Sequence, residues 1–288
     1  MTYRELYLQC RRELAAAGVD SPGNDALALV SHFFGLDRPG LAVRGEETPP
    51  PERETDFLRA SRERAGRRPL QYILGRWQFL GLELKVGEGV LVPREDTAVL
   101  VEALTERLRG VSCPRGLDLC AGTGAVALGL CSLLPGAEVI CVELSPRAYP
   151  YLEENLAAYP QYSVEAVTGD VLNPETAARF SPGALDFIAS NPPYIASGEL
   201  PSLQAEVQQE PALALDGGRD GLLFYRAIVR LWAPLLKPGG ILAVEIGETQ
   251  AEEVRALFQA HGLEQISVHQ DWAGLDRAVL AARALRTV

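Results

Sequence analysis

Ala184-Leu185-Asp186-Phe187-Ile188-Ala189-Ser190-Asn191-Pro192-Pro193-Tyr194-Ile195 begins as an apolar run and ends in two consecutive prolines and an aromatic residue. A short apolar run closed by a breaker reads as a buried strand over 184–190. The prolines cannot donate to a sheet ladder, and they hold the backbone in a stiff, extended exit from that strand. Open α/β sheets bind their ligands beyond the carboxyl ends of the strands, so this loop is a place for chemistry. Asn191 offers an amide oxygen and an amide NH2, and Pro192 offers a carbonyl with no competing N–H. Such acceptors side by side suit a planar NH2 group, on an amide or on a nucleobase. A proline-rich turn in which Asn191 caps its own backbone is the competing reading. The glycine-rich loop upstream weighs against it.

From Gly116 onward strands and helices alternate, which predicts a mostly parallel sheet covered on both faces. Strands are expected at 116–120, 138–142, 163–168, 184–190 and 241–246, with a closing hairpin over 264–269 and 277–282. Helices are expected between them, including 222–236 and 251–260. Asp118-Leu119-Cys120-Ala121-Gly122-Thr123-Gly124 sits where the first strand turns into a helix, and its glycines allow a ligand close to the backbone. Cys120 and Ala121 fill early positions of what would otherwise be a GxGxxG fingerprint, so a pyrophosphate cradle is disfavoured. An amino-acid carboxylate needs fewer contacts. Glu143 falls about 20–25 residues on, at a strand end where an acid can bind ribose hydroxyls. Asp170 follows Gly169 at the end of the third strand and is placed to accept from an exocyclic amine. Each acid alone is equally a solvated or capping residue. Together with the Asn191 loop they form one crevice at the carboxyl edge of the sheet.

The chain before this region is helical. Thr2-Tyr3-Arg4-Glu5 has capping-box spacing and opens a helix to about Ala17. Ser21-Pro22 starts a second helix that stops at Gly35, and a third runs over 52–67. Residues 1–75 are therefore expected as a small helical domain. Arg59, Arg62, Arg64, Arg67 and Arg68 gather near the end of the third helix, as a solvated face or as a contact for an acidic partner or RNA. The period then changes: Leu80, Leu82, Leu84 and Val86 alternate with small or charged residues, which predicts a strand paired with Val90-Leu91-Val92. A β-hairpin linker over 76–92 follows from this reading. Pro93-Arg94-Glu95-Asp96-Thr97 opens the next helix.

The 288 residues are 47% hydrophobic and 23% charged, the composition of a soluble globular protein. No apolar run approaches the roughly 20 residues that span a bilayer. The charged first ten residues are no signal peptide, so a cytoplasmic location is the expectation. Five cysteines without CxxC spacing read as reduced core thiols. The formal net charge is −11, while residues 1–75 carry 11 Arg and 11 Asp plus Glu, so the acidic excess lies wholly beyond residue 75. Proteins that grip phosphate backbones are usually basic on the gripping face, and a protein partner fits this chain better. His32, His261 and His269 lie in no motif, and no spacing supports a metal site.

The Asp118–Gly124 loop, Glu143, Gly169-Asp170 and Asn191-Pro192-Pro193-Tyr194 resemble the motifs of S-adenosylmethionine-dependent class I methyltransferases. Further segments are similar to the release-factor glutamine methyltransferases, the HemK family, over essentially the whole length. These are Pro69–Gly75, Val92–Thr97, Glu210–Leu215, Asp220-Gly221 and Glu245-Ile246-Gly247. Cys120-Ala121 stands where that family usually has Gly-Thr, and Glu143 where it often has Asp.

The resemblance implies an α/β fold: a Rossmann-like, doubly wound, mostly parallel seven-stranded sheet over 93–288, behind the helical domain and hairpin. It implies methyl transfer to the glutamine N5 of the release-factor Gly-Gly-Gln loop, with S-adenosylhomocysteine as product. Asp118, Cys120, Ala121, Gly122, Thr123, Gly124, Glu143, Asp170, Val171 and Asn191 would hold the cofactor. Asn191, Pro192, Pro193 and Tyr194 would receive the glutamine, with Asn191, Pro192 and Tyr194 catalytic. The helical domain would help bind the release factor; no metal, no membrane, no stable nucleic-acid binding and a monomer are expected. The alternatives are a methyltransferase acting on an exocyclic amine of a nucleic-acid base and, from another class, a nicotinamide-dependent oxidoreductase.

Overall fold

The computed structural model describes residues 1–285. The last residues of the expected second domain, 286–288, lie outside the described residues. Two compact units are found, one of Met1–Arg76 with Gln204–Gln209, the other of Trp77–Leu203 with the chain from Glu210 on.

The first unit comprises α1 (Tyr3–Ala16), α2 (Pro22–Phe34), α3 (Arg38–Arg44), α4 (Pro51–Ala65) and α5 (Leu70–Leu74). The capping box is made in both directions: the Glu5 N–H donates to the Thr2 hydroxyl at 3.2 Å and the Thr2 N–H to the Glu5 carboxylate at 2.9 Å. Two of the helix's orphan donors are satisfied in this way. Leu6, Leu14, Leu29, Val30 and Phe57 form the core. The Phe34 ring lies 5.0 Å from Tyr3 and 5.1 Å from Phe57. The sequence reading missed α3, whose Pro39-Gly40 looks like a breaker. Pro39 sits in the first turn, where a missing N–H is no loss, and Asp37 caps the Gly40 N–H at 2.7 Å.

The arginines at the end of α4 do not make one solvated face. Arg64 is buried, with Nε 2.7 Å from Asp25 and Nη2 2.8 Å from Glu206. Arg67 meets the other oxygen of Glu206 at 2.7 Å. Arg59, paired with Asp56 at 2.9 Å, and Arg62 are exposed as the helix pattern suggests, and Arg68 pairs with Glu63 at 3.2 Å. Segment 204–209 is thus tied into the helical unit by a carboxylate shared between two guanidinium groups.

In the second unit the hairpin is made differently from the expectation. β1 (Arg76–Phe79) pairs with β2 (Leu82–Lys85). Leu80 (φ 47°) and Gly81 (φ 79°) are both left-handed, as a two-residue turn matched to the strand twist requires. The alternation over 80–86 therefore spans a turn as well as a strand. Val90-Leu91-Val92, expected as the partner strand, forms no ladder; the Val92 N–H donates instead to the Glu210 carboxylate at 2.9 Å. A side chain satisfies that backbone group where a strand was expected to.

The remaining elements are α6 (Thr97–Arg107), β3 (Arg115–Leu119), α7 (Ala125–Leu133), β4 (Glu138–Glu143), α8 (Tyr149–Ala158), β5 (Ser163–Thr168), α9 (Pro174–Ala177), β6 (Leu185–Ser190), α10 (Leu223–Ala227), β7 (Leu236–Glu245), α11 (Ala251–Ala260), β8 (Leu263–Gln270) and β9 (Asp276–Arg283). The seven-stranded sheet runs β5-β4-β3-β6-β7-β9-β8. It is parallel from β5 to β7, and β9 pairs antiparallel with both β7 and β8. Successive residues of β6 alternate between two cores: Phe187 and Ala189 join the cluster around α6 and α7, and Ile188 joins that around α10 and α11. Burial on both faces is why this strand reads as a continuous apolar run.

The single helix expected over 222–236 is three pieces. After α10 the chain widens into a π-turn at Ile228–Trp232 and tightens into a 3-10 turn at Ala233–Leu235. Pro234, with no N–H, cannot extend the wider turn, and the Trp232 indole is held by the Val171 carbonyl at 2.9 Å. β7 begins at Leu236, earlier than expected, because Pro238-Gly239-Gly240 forms an irregularity within the strand instead of a turn before it.

Arg64→Ala leaves the partly buried carboxylates of Asp25 and Glu206 without their shared cation. It is expected to destabilise the helical unit by about 3 kcal/mol, read as a lower urea midpoint and faster hydrogen exchange in α2 and α4.

Candidate active site

The strand order reverses between β3 and β6, the place where doubly wound sheets open a crevice. Their register pairs Leu119 with Ser190, so Cys120 and Asn191, the next residues on each, begin neighbouring loops. The Ser190 hydroxyl donates to the Leu119 carbonyl at 2.7 Å and closes the junction.

The loop after β3 turns on three left-handed residues, Cys120 (φ 61°), Gly122 (φ 55°) and Gly124 (φ 80°). Three of its N–H groups are used within the protein. Ala121 donates to the Val142 carbonyl at 3.2 Å, Gly122 to the Glu143 carboxylate at 2.8 Å, and Gly124 to the Ala121 carbonyl at 2.8 Å. Asp118 lies beneath the loop, 1% exposed. One of its oxygens accepts the Ala127 N–H of α7 at 3.1 Å, and the other has no partner among the described residues. Burial pushes this carboxyl up to about 8, against the pull of the Ala127 N–H and with the Glu143 charge adding to it. The Cys120 thiol is likewise raised, by burial first and then by the charges of Glu143 and Asp118.

Glu143 binds backbone with both oxygens, Gly122 on one and the Ser145 N–H at 2.7 Å on the other. Asp170 accepts the Leu172 N–H at 2.8 Å. Both carboxylates keep further lone pairs for a ligand. The Asn191 NH2 donates to the Thr97 hydroxyl at 3.2 Å, and no protein donor among the described residues meets its oxygen or the Pro192 carbonyl. Pro192 and Pro193 are buried. Tyr194 donates its hydroxyl to Glu245 at 3.4 Å, and its carbonyl accepts the Gln250 amide at 3.0 Å. Burial, then the Glu245 charge, raises the Tyr194 phenol.

These loops surround an open cleft whose empty space, including the part open to solvent, is about 890 Å³. Cys120, Ala121, Gly122, Thr123, Glu143, Asp170, Val171, Asn191 and Pro193 line it, whereas Asp118, Gly124, Pro192 and Tyr194 are not part of its lining. Asp118 supports the loop from below by holding α7. Sequence reasoning missed Thr97, Pro211, Leu213 and Phe224 on the lining. It also missed Glu210, 5% exposed, which holds the Val92 N–H and ion-pairs with Arg94. That carboxylate joins the segment bearing Pro93 to the one bearing Pro211. The signal was present as two motif segments, but nothing in one dimension says that they touch. Among the described residues no cluster of His, Cys, Asp or Glu is arranged for a metal, and no helix is long and apolar enough to cross a membrane.

A family model described as the PrmC N-terminal domain matches residues 5–75, and one described as the methyltransferase small domain matches residues 94–218. A release factor glutamine methyltransferase of Moorella thermoacetica is 42% identical over 98% of this chain and 99% of its own. That of Geobacter sulfurreducens is 40% identical over 96% and 95%. Among solved structures, a methyltransferase from Pyrococcus furiosus is 15% identical with a TM-score of 0.52, over 71% of this chain and 90% of its own. That likeness concerns the fold alone.

The backbone of Tyr194 is packed against glycine. A Cβ on Gly221 (φ +72°) would meet the Tyr194 carbonyl oxygen and stand 2.6 Å from the Gln250 amide nitrogen. Gly221→Ala is therefore expected to cost about 2 kcal/mol of stability, measured by urea denaturation, with the change in tyrosine environment read from near-UV circular dichroism.

Proposed function

The chain belongs to the release factor glutamine methyltransferases, and we propose that it transfers a methyl group from S-adenosylmethionine to the side-chain amide nitrogen of the Gly-Gly-Gln glutamine in peptide chain release factors. The observation that carries the reading is Asn191, on the cleft lining: its NH2 is committed to Thr97, so its oxygen is left as an unused acceptor, and the carbonyl of Pro192, next along the chain, has no protein donor among the described residues either. An amide nitrogen is a poor nucleophile because its lone pair is shared with the carbonyl. Asn191 and Pro192 accept its two hydrogens, orient the lone pair, and stabilise positive charge developing on nitrogen. Tyr194, held at both its hydroxyl and its carbonyl, fixes the backbone that carries these acceptors. Phe224, Leu213 and Pro211 give the cleft an apolar wall. When bound, the cofactor supplies a sulfonium methyl that is already strongly electrophilic, so the protein's work is alignment and electrostatics.

The residues fit such a cofactor better than a dinucleotide. Ala121, Gly122 and Gly124 have no N–H left for a pyrophosphate, while Glu143 and Asp170 retain lone pairs for ribose hydroxyls and an exocyclic amine. A nicotinamide-dependent oxidoreductase is disfavoured by this bonding, and a nucleic-acid base as substrate finds no support in the relatives' names. The helical unit, matched by its own family model, is read as the release-factor-binding part. A cytoplasmic site of action follows from that substrate.

Labelled methyl from S-adenosylmethionine is expected on purified release factor and absent from a variant whose Gly-Gly-Gln glutamine is replaced. Label on ribosomal RNA alone overturns the reading. Asn191→Ala is expected to lower transfer by about 10²-fold, with cofactor affinity by calorimetry changed by less than about threefold. Retained turnover in that variant removes Asn191 from the mechanism.

A further inference from the structure

Gln250 stands at the start of α11 but its side chain does not cap that helix. It turns back into three loops instead. The amide NH2 donates to the Tyr194 carbonyl at 3.0 Å and to the Gly221 carbonyl at 3.4 Å, and the amide oxygen accepts the Gly247 N–H at 3.0 Å. A carbonyl only accepts and a backbone N–H only donates, so these partners decide which way the amide points. The Tyr225 hydroxyl stands 3.4 Å from the same amide oxygen and donates to the Glu245 main-chain carbonyl at 2.8 Å. Gln250 is not on the cleft lining, and none of these partners is a residue read as holding the cofactor.

The stretch that carries the proposed acceptors is held at both ends. At one end Ser190 is in register with Leu119 and bonded to its carbonyl. At the other the Tyr194 carbonyl is held by Gln250. Between them lie Pro192 and Pro193, whose rings fix φ, and a residue before proline is confined to extended backbone. Few soft torsions remain, so a shift of the Tyr194 carbonyl passes to the Pro192 carbonyl and to Asn191. Ile195, next along, donates to the Leu215 carbonyl at 3.0 Å and accepts the Gly217 N–H at 2.8 Å. The acceptor loop and the segment bearing Leu213 and Ala214 therefore move together, and Gln250 anchors both to the loop after β7.

We propose that Gln250 is a positioning residue for methyl transfer: by holding the Tyr194 carbonyl it sets where the Asn191 oxygen and the Pro192 carbonyl meet the substrate amide. The proposal rests on those two groups being the acceptors for the glutamine NH2. Loss of the clamp misaligns the lone pair of the reacting nitrogen, so it lowers kcat and leaves cofactor binding in place. Replacing the NH2 by a carboxylate oxygen sets two carbonyls against a negative charge while the Gly247 N–H keeps its acceptor. Those carbonyls favour the protonated carboxyl, which regains one O–H donor for Tyr194. The Gln250→Glu variant thus carries a pH dependence that the wild-type chain lacks.

The test is methyl transfer from labelled S-adenosylmethionine to purified release factor, from pH 6 to pH 9, with kcat and the KM for release factor measured separately. The chains compared are wild type, Gln250→Met and Gln250→Glu, each with cofactor affinity measured by calorimetry. Gln250→Met, of similar length and without donors, is expected to lower kcat by about 10- to 100-fold at every pH. Cofactor affinity and KM are expected to change by less than about threefold. The kcat of Gln250→Glu relative to wild type is expected to rise by at least about threefold from pH 9 to pH 6. Gln250→Glu decides alone if Gln250→Met does not fold. A wild-type kcat in either variant overturns the proposal, as does a Gln250→Glu ratio that is flat with pH. Loss of cofactor binding in both variants also overturns it, because Gln250 then supports the fold at large and not the acceptor loop. A wild-type chain that binds cofactor but labels no release factor overturns the underlying activity, and the proposal with it.

Discussion

Two strands distant in the sequence, β3 and β6, lie side by side, and the position of the cleft's principal residues follows from their register. Leu119 pairs with Ser190, so the loop that begins at Cys120 and the one that begins at Asn191 leave the sheet together. A slip of one residue would exchange the faces of every side chain on β6 and move Phe187 out of its core. The close approach also depends on Gly116. A Cβ there would stand 2.5 Å from the Phe187 ring, so the central pair of the sheet admits no side chain at that point.

Around this junction the walls are assembled mainly by carboxylates that accept hydrogen bonds from separate segments. Asp118 holds α7, Glu143 joins the loop after β3 to the one after β4, and Glu210 binds Val92 and Arg94. Glu245 accepts the Tyr194 hydroxyl. A carboxylate suits this work because it has several lone pairs, no competing donor and a fixed planar geometry. The acidic excess beyond residue 75 is therefore partly internal. Net charge read from composition counts these groups as surface charge, and for this chain that overstates how acidic a face any partner meets.

In the helical unit the same chemistry works with the opposite sign. Arg64 is buried with two acids, and the one from segment 204–209 is shared with Arg67. The helix pattern of α4 identifies Arg64 as just another member of an arginine-rich stretch. Its burial depends on Asp25 and Glu206, neither of them near it in sequence, and the same distant partner is why 204–209 joins this unit.

The sequence by itself determined the elements whose signal is local. β5 and α11 are found at their expected bounds, the capping box at Thr2 and Glu5 is closed, and the alternation of strands and helices yields the parallel sheet with its closing hairpin. It also brought Cys120 through Thr123, Glu143, Asp170 and Asn191 to one cleft, because open sheets gather ligands at carboxyl strand ends. Only the tertiary structure decided what each group is free to do. That Ala121 and Gly122 have no N–H to spare, that the Asn191 NH2 is taken by Thr97, and that Glu210 holds Arg94 are facts about partners far along the chain. It also decided that Leu80-Gly81 is a turn and that Val90–Val92 is not its strand, since a side-chain acceptor can replace a ladder without leaving a trace in the hydrophobic period. Periodicity and turn residues report the backbone's local preferences; the spending of hydrogen bonds is settled by whichever groups the fold brings within 3 Å or so of one another.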